Sequence, residues 1–117
     1  MSDIVAREMK RKGRAASLLK DVASSFIRFE INPDAMVTVM RVEMKNDLRS
    51  AKMFISVFPE EKERKIMNLL KKQGRRLKDF MKIKTKLRFL PDVVFEIDKR
   101  WKSEQNGLVA KSRRKPT

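Results

Sequence analysis

The ten residues from 49 to 58, Arg-Ser-Ala-Lys-Met-Phe-Ile-Ser-Val-Phe, constrain the fold more than any other stretch of the chain. On an extended backbone Ala51, Met53, Ile55 and Val57 fall on one side, and Lys52, Phe54, Ser56 and Phe58 on the other. This period of two predicts a strand whose apolar face something must cover. Residues 36–44, just before it, are rich in Val, Met and Thr with looser alternation, and Lys45-Asn46-Asp47-Leu48 lies between as a turn. The two runs read as an antiparallel hairpin.

The cover comes from both flanks. Over residues 9–29, Ala15, Leu18, Leu19, Val22, Phe26 and Phe29 recur at steps of three and four, the pattern of one helical face. Gly13 weakens the first turn, and residues 1–8 are expected to be a loosely ordered, flexible lead-in. Asn32-Pro33-Asp34 ends the helix, because a residue before proline avoids the helical region. Pro59-Glu60-Glu61 opens a second helix, with acids beside the positive end of the dipole. From there Ile66, Leu69, Leu70, Leu77, Phe80 and Met81 hold one face. Gly74 interrupts this pattern. A mid-helix glycine costs about 1 kcal/mol relative to alanine, so a bend or a close neighbour is expected there. After Leu87-Arg88-Phe89-Leu90-Pro91, Val93, Phe95 and Ile97 alternate with Val94, Glu96 and Asp98 as a third strand.

This order predicts an α+β sandwich, a three-stranded sheet with helices on one face. Residues 9–102 are expected to form one domain, and 103–117 a basic disordered tail. A hydrophobic content of 41% is enough for a core. Met36, Met40, Met44, Met53 and Met81 lie where core residues belong.

Charge then narrows function. Thirty Lys and Arg stand against 15 Asp and Glu, a net charge of +15. Such an excess attracts polyanions, nucleic acid first and an anionic membrane surface second. With no Cys, disulfides and thiolate metal sites are excluded; with no His, the commonest general base and metal ligand are missing. No catalytic constellation, Gly-rich phosphate loop, cofactor site or metal site is visible. No apolar run approaches the roughly 20 residues that span a bilayer, and the N-terminus lacks a secretory signal, so a cytoplasmic location is expected.

On an ideal helix over residues 64–82, Arg64, Lys71, Arg75, Lys78 and Lys82 converge opposite the apolar sector, with Lys72 and Arg76 at its flank. Asp79 is the one acid between residues 64 and 90. Like charges four residues apart repel by a few tenths of a kcal/mol, so this face carries a cost that phosphate binding would explain. The seven Phe fall mostly on predicted core faces, which favours recognition of backbone and shape over base stacking. Trp101, beside Arg100 and Lys102, reads either as a cap on the core or as a stacking residue.

Three segments resemble the ribosome-binding factor A family. They are Arg11-Lys12-Gly13-Arg14-Ala15-Ala16; Val37-Thr38-Val39 with the run from Val42 through Asp47-Leu48 to Ala51-Lys52; and Leu87-Arg88-Phe89-Leu90-Pro91-Asp92-Val93-Val94-Phe95. The resemblance implies a type II KH-like fold, α-β-β-α(kink)α-β, which agrees with the order read from periodicity. Family members lack a Gly-x-x-Gly loop and carry an Ala-x-Gly kink; here Gly74 occupies the kink and Lys72 stands at the alanine position.

The resemblance also implies binding to the immature small ribosomal subunit near its decoding region and assistance in late maturation of its 16S-type rRNA. On this reading the chain is a monomeric, non-catalytic assembly factor with no membrane partner. Lys71, Lys72, Arg75, Arg76, Lys78 and Lys82 would contact rRNA phosphates, and Arg11, Lys12 and Arg14 would add a second patch. Lys111, Arg113, Arg114 and Lys115 of the tail would reach further along the RNA. The rival readings are a generic KH-type module acting on mRNA or small RNA, a protein-interaction or DNA-associated domain, and an rRNA-processing enzyme.

Overall fold

The computed structural model describes residues 2–45, 47–87 and 89–100, with side chains from residue 13 onward. Helix α1 spans Ser2–Ser25 and runs on into a π-helical turn over Phe26–Ile31. Strands β1 (Met36–Met44) and β2 (Ser50–Phe58) form the hairpin. A short 3-10 turn, Glu60–Lys62, leads into α2 (Glu63–Lys72), then α3 (Gly74–Lys84) and β3 (Asp92–Ile97). The sheet order is β1-β2-β3, antiparallel between the first pair and parallel between the second. This is the expected α-β-β-α-α-β order. Among the described residues no helix is long and apolar enough to cross a membrane.

Helical backbone reaches back to Ser2, ahead of the expected start at residue 9. Ala6, Glu8, Met9, Lys10, Arg11 and Lys12 are good helix formers, so Gly13 sits inside a helix that tolerates it. The helix ends at Asn32, which adopts φ 47° and donates its N–H to the Ile27 carbonyl at 2.9 Å. Asparagine accepts this left-handed conformation more readily than most residues.

The looser alternation of β1 has a definite cause. A bulge between Val39 and Arg41 shifts the phase by one residue, so Val37, Val39, Val42 and Met44 all pair with inward residues of β2. Strict alternation from Val39 would have driven Arg41 and Glu43 into the core. The hairpin turn is closed by Leu48 N–H to the Lys45 carbonyl at 2.9 Å, and Asp47 Oδ1 accepts the Arg49 N–H at 2.9 Å.

The core lies between the helices and the inward sheet face. Leu19, Phe26, Ile66, Leu70, Leu77 and Met81 meet Val39, Met53 and Ile55, all nearly inaccessible. At about 25 cal/mol per Å², burial of such side chains contributes roughly 1.5–3 kcal/mol each, an upper bound set by an extended unfolded chain.

Several expected core residues lie outside. Leu18 is at the edge of a stripe formed by Ala15, Leu19, Val22, Ala23 and Phe26. Met36 pairs with Phe58 on the outer sheet face at the end of the hairpin, and both are exposed. Phe29 is 70% exposed, because the wider π turn advances the chain less per residue and buries Ile27 in its place.

Candidate nucleic-acid interface

The cationic face is built on the broken helix pair α2–α3. The break centres on Gln73, with φ −94° and ψ 8°. Its N–H is shared between the carbonyls of Leu69 and Leu70, at 3.2 and 3.1 Å, and its own carbonyl accepts the Leu77 N–H at 2.9 Å. Gly74 is the first residue of α3, and a Cβ placed there would meet nothing within 4 Å. The bend expected at Gly74 is therefore present, and the alternative of a close neighbour is not.

Lys71 and Lys72 occupy the last turn of α2, where cations complement the negative end of the dipole. Arg75 and Arg76 open α3, at a positive dipole end whose first-turn N–H groups lack partners from within the helix. Cations at that end repel it, so the arrangement concentrates positive potential where an anion would be welcomed.

All six proposed phosphate ligands of this pair are exposed. Among the described residues Lys71, Lys72, Arg75 and Lys82 take no part in an ion pair. The other two are bound to acids from distant elements. Arg76 Nη2 lies 3.7 Å from Glu30 Oε2 of the π turn, while its Nη1 donates to Gln73 Oε1 at 2.9 Å. Lys78 Nζ donates to Asp92 Oδ1 at the start of β3, at 3.1 Å. Of the seven cations expected on this face, Arg76 and Lys78 are thus engaged, because the fold brings Glu30 and Asp92 alongside, while Arg64, Lys71, Lys72, Arg75 and Lys82 take no part in an ion pair among the described residues. A groove of about 270 Å³ runs beside Arg75 and Lys78 toward Pro91 and Val93.

Arg14 is exposed on α1, a different element from this face. Arg11 and Lys12 are on the same helix, with side chains outside the described residues. Trp101, Lys111, Arg113, Arg114 and Lys115 also lie outside the described residues. Elsewhere Lys62 and Lys65 converge on Asp34 at 3.1 and 3.2 Å. Their hydrogen bonds, Lys62 first, and then their charges hold the Asp34 carboxyl below its ordinary pKa.

Of the Phe rings expected on core faces, Phe26, Phe80 and Phe95 are buried or packed against the core, and Phe29 is the departure. Phe29, Phe58 and Phe89 are 70%, 69% and 79% exposed. Arg28 lies over the Phe29 ring at 5.2 Å and Lys84 over the Phe80 ring at 5.6 Å. Sequence reading missed this aromatic and cationic cluster. The run Phe26-Ile27-Arg28-Phe29-Glu30-Ile31 carries more apolar residues than one helical face can bury, and that was its signal.

Comparison with known proteins agrees with this architecture. The family model for ribosome-binding factor A matches residues 11–107. Ribosome-binding factor A of Clostridium acetobutylicum is 33% identical over 92 residues, covering 75% of this chain and 76% of the relative. The crystal structure of ribosome-binding factor A from Thermus thermophilus superposes with a TM-score of 0.66 at 22% identity, over 74% of this chain and 94% of that one. A homology model of the Thermus thermophilus factor, fitted into a cryo-EM map of its 30S complex, superposes with a TM-score of 0.57 at 19% identity, over 74% and 89% of the two chains. These structural likenesses carry the KH-like fold, and the sequence matches carry kinship: the chain belongs to the ribosome-binding factor A family.

Proposed function

We propose that this protein binds the maturing small ribosomal subunit and assists late maturation of its 16S-type rRNA, as a non-catalytic, monomeric, cytoplasmic factor. The observation that carries the reading is the row Lys71, Lys72, Arg75 and Lys82 on α2–α3, exposed and without ion pairs among the described residues, in a chain of net charge +15. Family membership gives the row its polyanion, since a relative from Thermus thermophilus has been fitted into a 30S complex.

The row would grip phosphates of folded rRNA without reading base edges. Lys78 and Arg76 would join it once RNA phosphates compete with Asp92 and Glu30. Arg11, Lys12, Arg14 and the tail cations Lys111, Arg113, Arg114 and Lys115 would supply further contacts. If four phosphates are neutralised, the logarithm of affinity falls with the logarithm of salt at a slope of about −3 to −4.

The test is a sucrose-gradient profile of cell extract probed for this protein. Peaks with free small subunits, absent from translating ribosomes, are expected. Failure to sediment with small subunits, together with tight binding to short single strands, would point to a generic KH-type module. Purified protein that cleaves precursor rRNA unaided would overturn the non-catalytic reading.

A further inference from the structure

A second groove, of about 470 Å³, separates the end of α1 and its π turn from the C-terminal half of α3. Its volume falls within the roughly 300–1,000 Å³ typical of ligand sites. Asp21, Val22, Ser25, Phe29 and Glu30 form one wall, and Phe80 and Lys84 the other. It shares no lining residue with the groove beside Arg75 and Lys78.

Three features of this groove belong together. The Phe29 ring is 70% exposed although it follows Phe26 at a spacing that would bury it on a regular helix. The π turn turns it outward, and such turns recur at functional sites. Two cations flank the aromatic surfaces: Arg28 is 5.2 Å from the Phe29 centroid and Lys84 Nζ is 5.6 Å from that of Phe80. The walls between them carry Asp21, Ser25 and Glu30, whose carboxylate also pairs with Arg76 at 3.7 Å. Carboxylates would repel a phosphate drawn into the groove, but they accept hydrogen bonds from the exocyclic amino groups of adenine, cytosine or guanine.

We propose that this groove takes one unpaired, amino-bearing nucleobase of the bound RNA. The base stacks on Phe29 with its amino edge toward Asp21 and Glu30, and its backbone phosphates lie outside against Arg28 and Lys84. Stacking of this kind tolerates any base face, whereas the carboxylates disfavour uracil. The inference rests on the chain being an RNA binder and adds a base contact to a reading otherwise confined to phosphates.

The test uses the full chain at low salt with four decamers: oligoadenylate, oligocytidylate, oligouridylate and an abasic phosphodiester of equal charge. Wild type is expected to bind oligoadenylate about fivefold more tightly than the abasic strand, the low end of the range for one stacked base. Phe29→Ala should abolish that ratio and Phe29→Trp restore it. Lys71→Ala with Arg75→Ala should weaken both strands and leave the ratio unchanged. Equal wild-type affinity for oligoadenylate and the abasic strand, no binding of either, or a ratio that survives Phe29→Ala overturns stacking. Equal affinity for oligocytidylate and oligouridylate overturns the role of the carboxylates. The small-subunit reading stands or falls separately, on whether the wild-type protein sediments with small subunits.

Discussion

The guanidinium of Arg41 lies 3.8 Å from the centroid of the Phe54 ring, directly across the β1–β2 ladder. This contact covers an aromatic side chain in the middle of the outer sheet face, where no helix packs among the described residues, and Phe54 is only 9% exposed. The same guanidinium pairs with Glu43, and its Nε lies 3.5 Å from Oδ2 of the buried Asp98, an ion pair without hydrogen-bond geometry. The bulge in β1 makes all of this possible by bringing Arg41 outward.

Arg41→Ala should therefore destabilise the fold by about 1–3 kcal/mol, through the lost cation–π contact and the lost charge beside Asp98. Arg41→Met keeps the apolar cover and should cost less. Urea midpoints at unchanged m-value measure both. An alanine variant as stable as wild type would mean that the stack contributes nothing.

On the α2–α3 face, free and engaged cations should behave differently. Removing Lys71 or Arg75 is expected to lower the salt slope of small-subunit binding by about 0.9 each. Asp92→Asn frees Lys78 from its partner and should strengthen binding and steepen the slope. Weaker binding by the Asp92→Asn variant would show that the Lys78–Asp92 pair positions the lysine and does not mask it.

Gly74 invites replacement. Its side-chain space is open and its backbone is helical, so Gly74→Ala should raise stability by about 0.4–1 kcal/mol, through the lower entropy of the unfolded chain. The bend should persist, because it is centred on Gln73. Thermal midpoints check the stability, and NMR amide shifts of residues 69–77 check the bend.

Asp34 supplies a pH signature. Its folded-state pKa is lowered, by Lys62 first and Lys65 second, so the unfolded chain binds the proton more readily. Stability from this carboxylate is present above the ordinary aspartate pKa and is lost as pH falls through the folded value. The advantage of wild type over Asp34→Asn should be level at neutral pH and fade in acid, as read from urea midpoints across a pH series. Parallel curves down to full protonation would remove the lysine pairing from the account.

Element order, the hairpin, the inward row Ala51, Met53, Ile55 and Val57, and the cationic sector of α2–α3 were legible from periodicity alone. Each depends on backbone geometry repeated over a few neighbouring residues, which a linear reading can follow. What the linear reading could not supply is phase and company. The β1 bulge at Arg41 and the π turn at Phe29 each shift the phase mid-element, because the core accepts Val42 and Ile27 where unbroken patterns would insert Arg41 and Phe29. Glu30 lies 46 positions from Arg76 and Asp92 14 positions from Lys78, so only packing of the π turn and β3 against α3 could decide which cations of the row stay free.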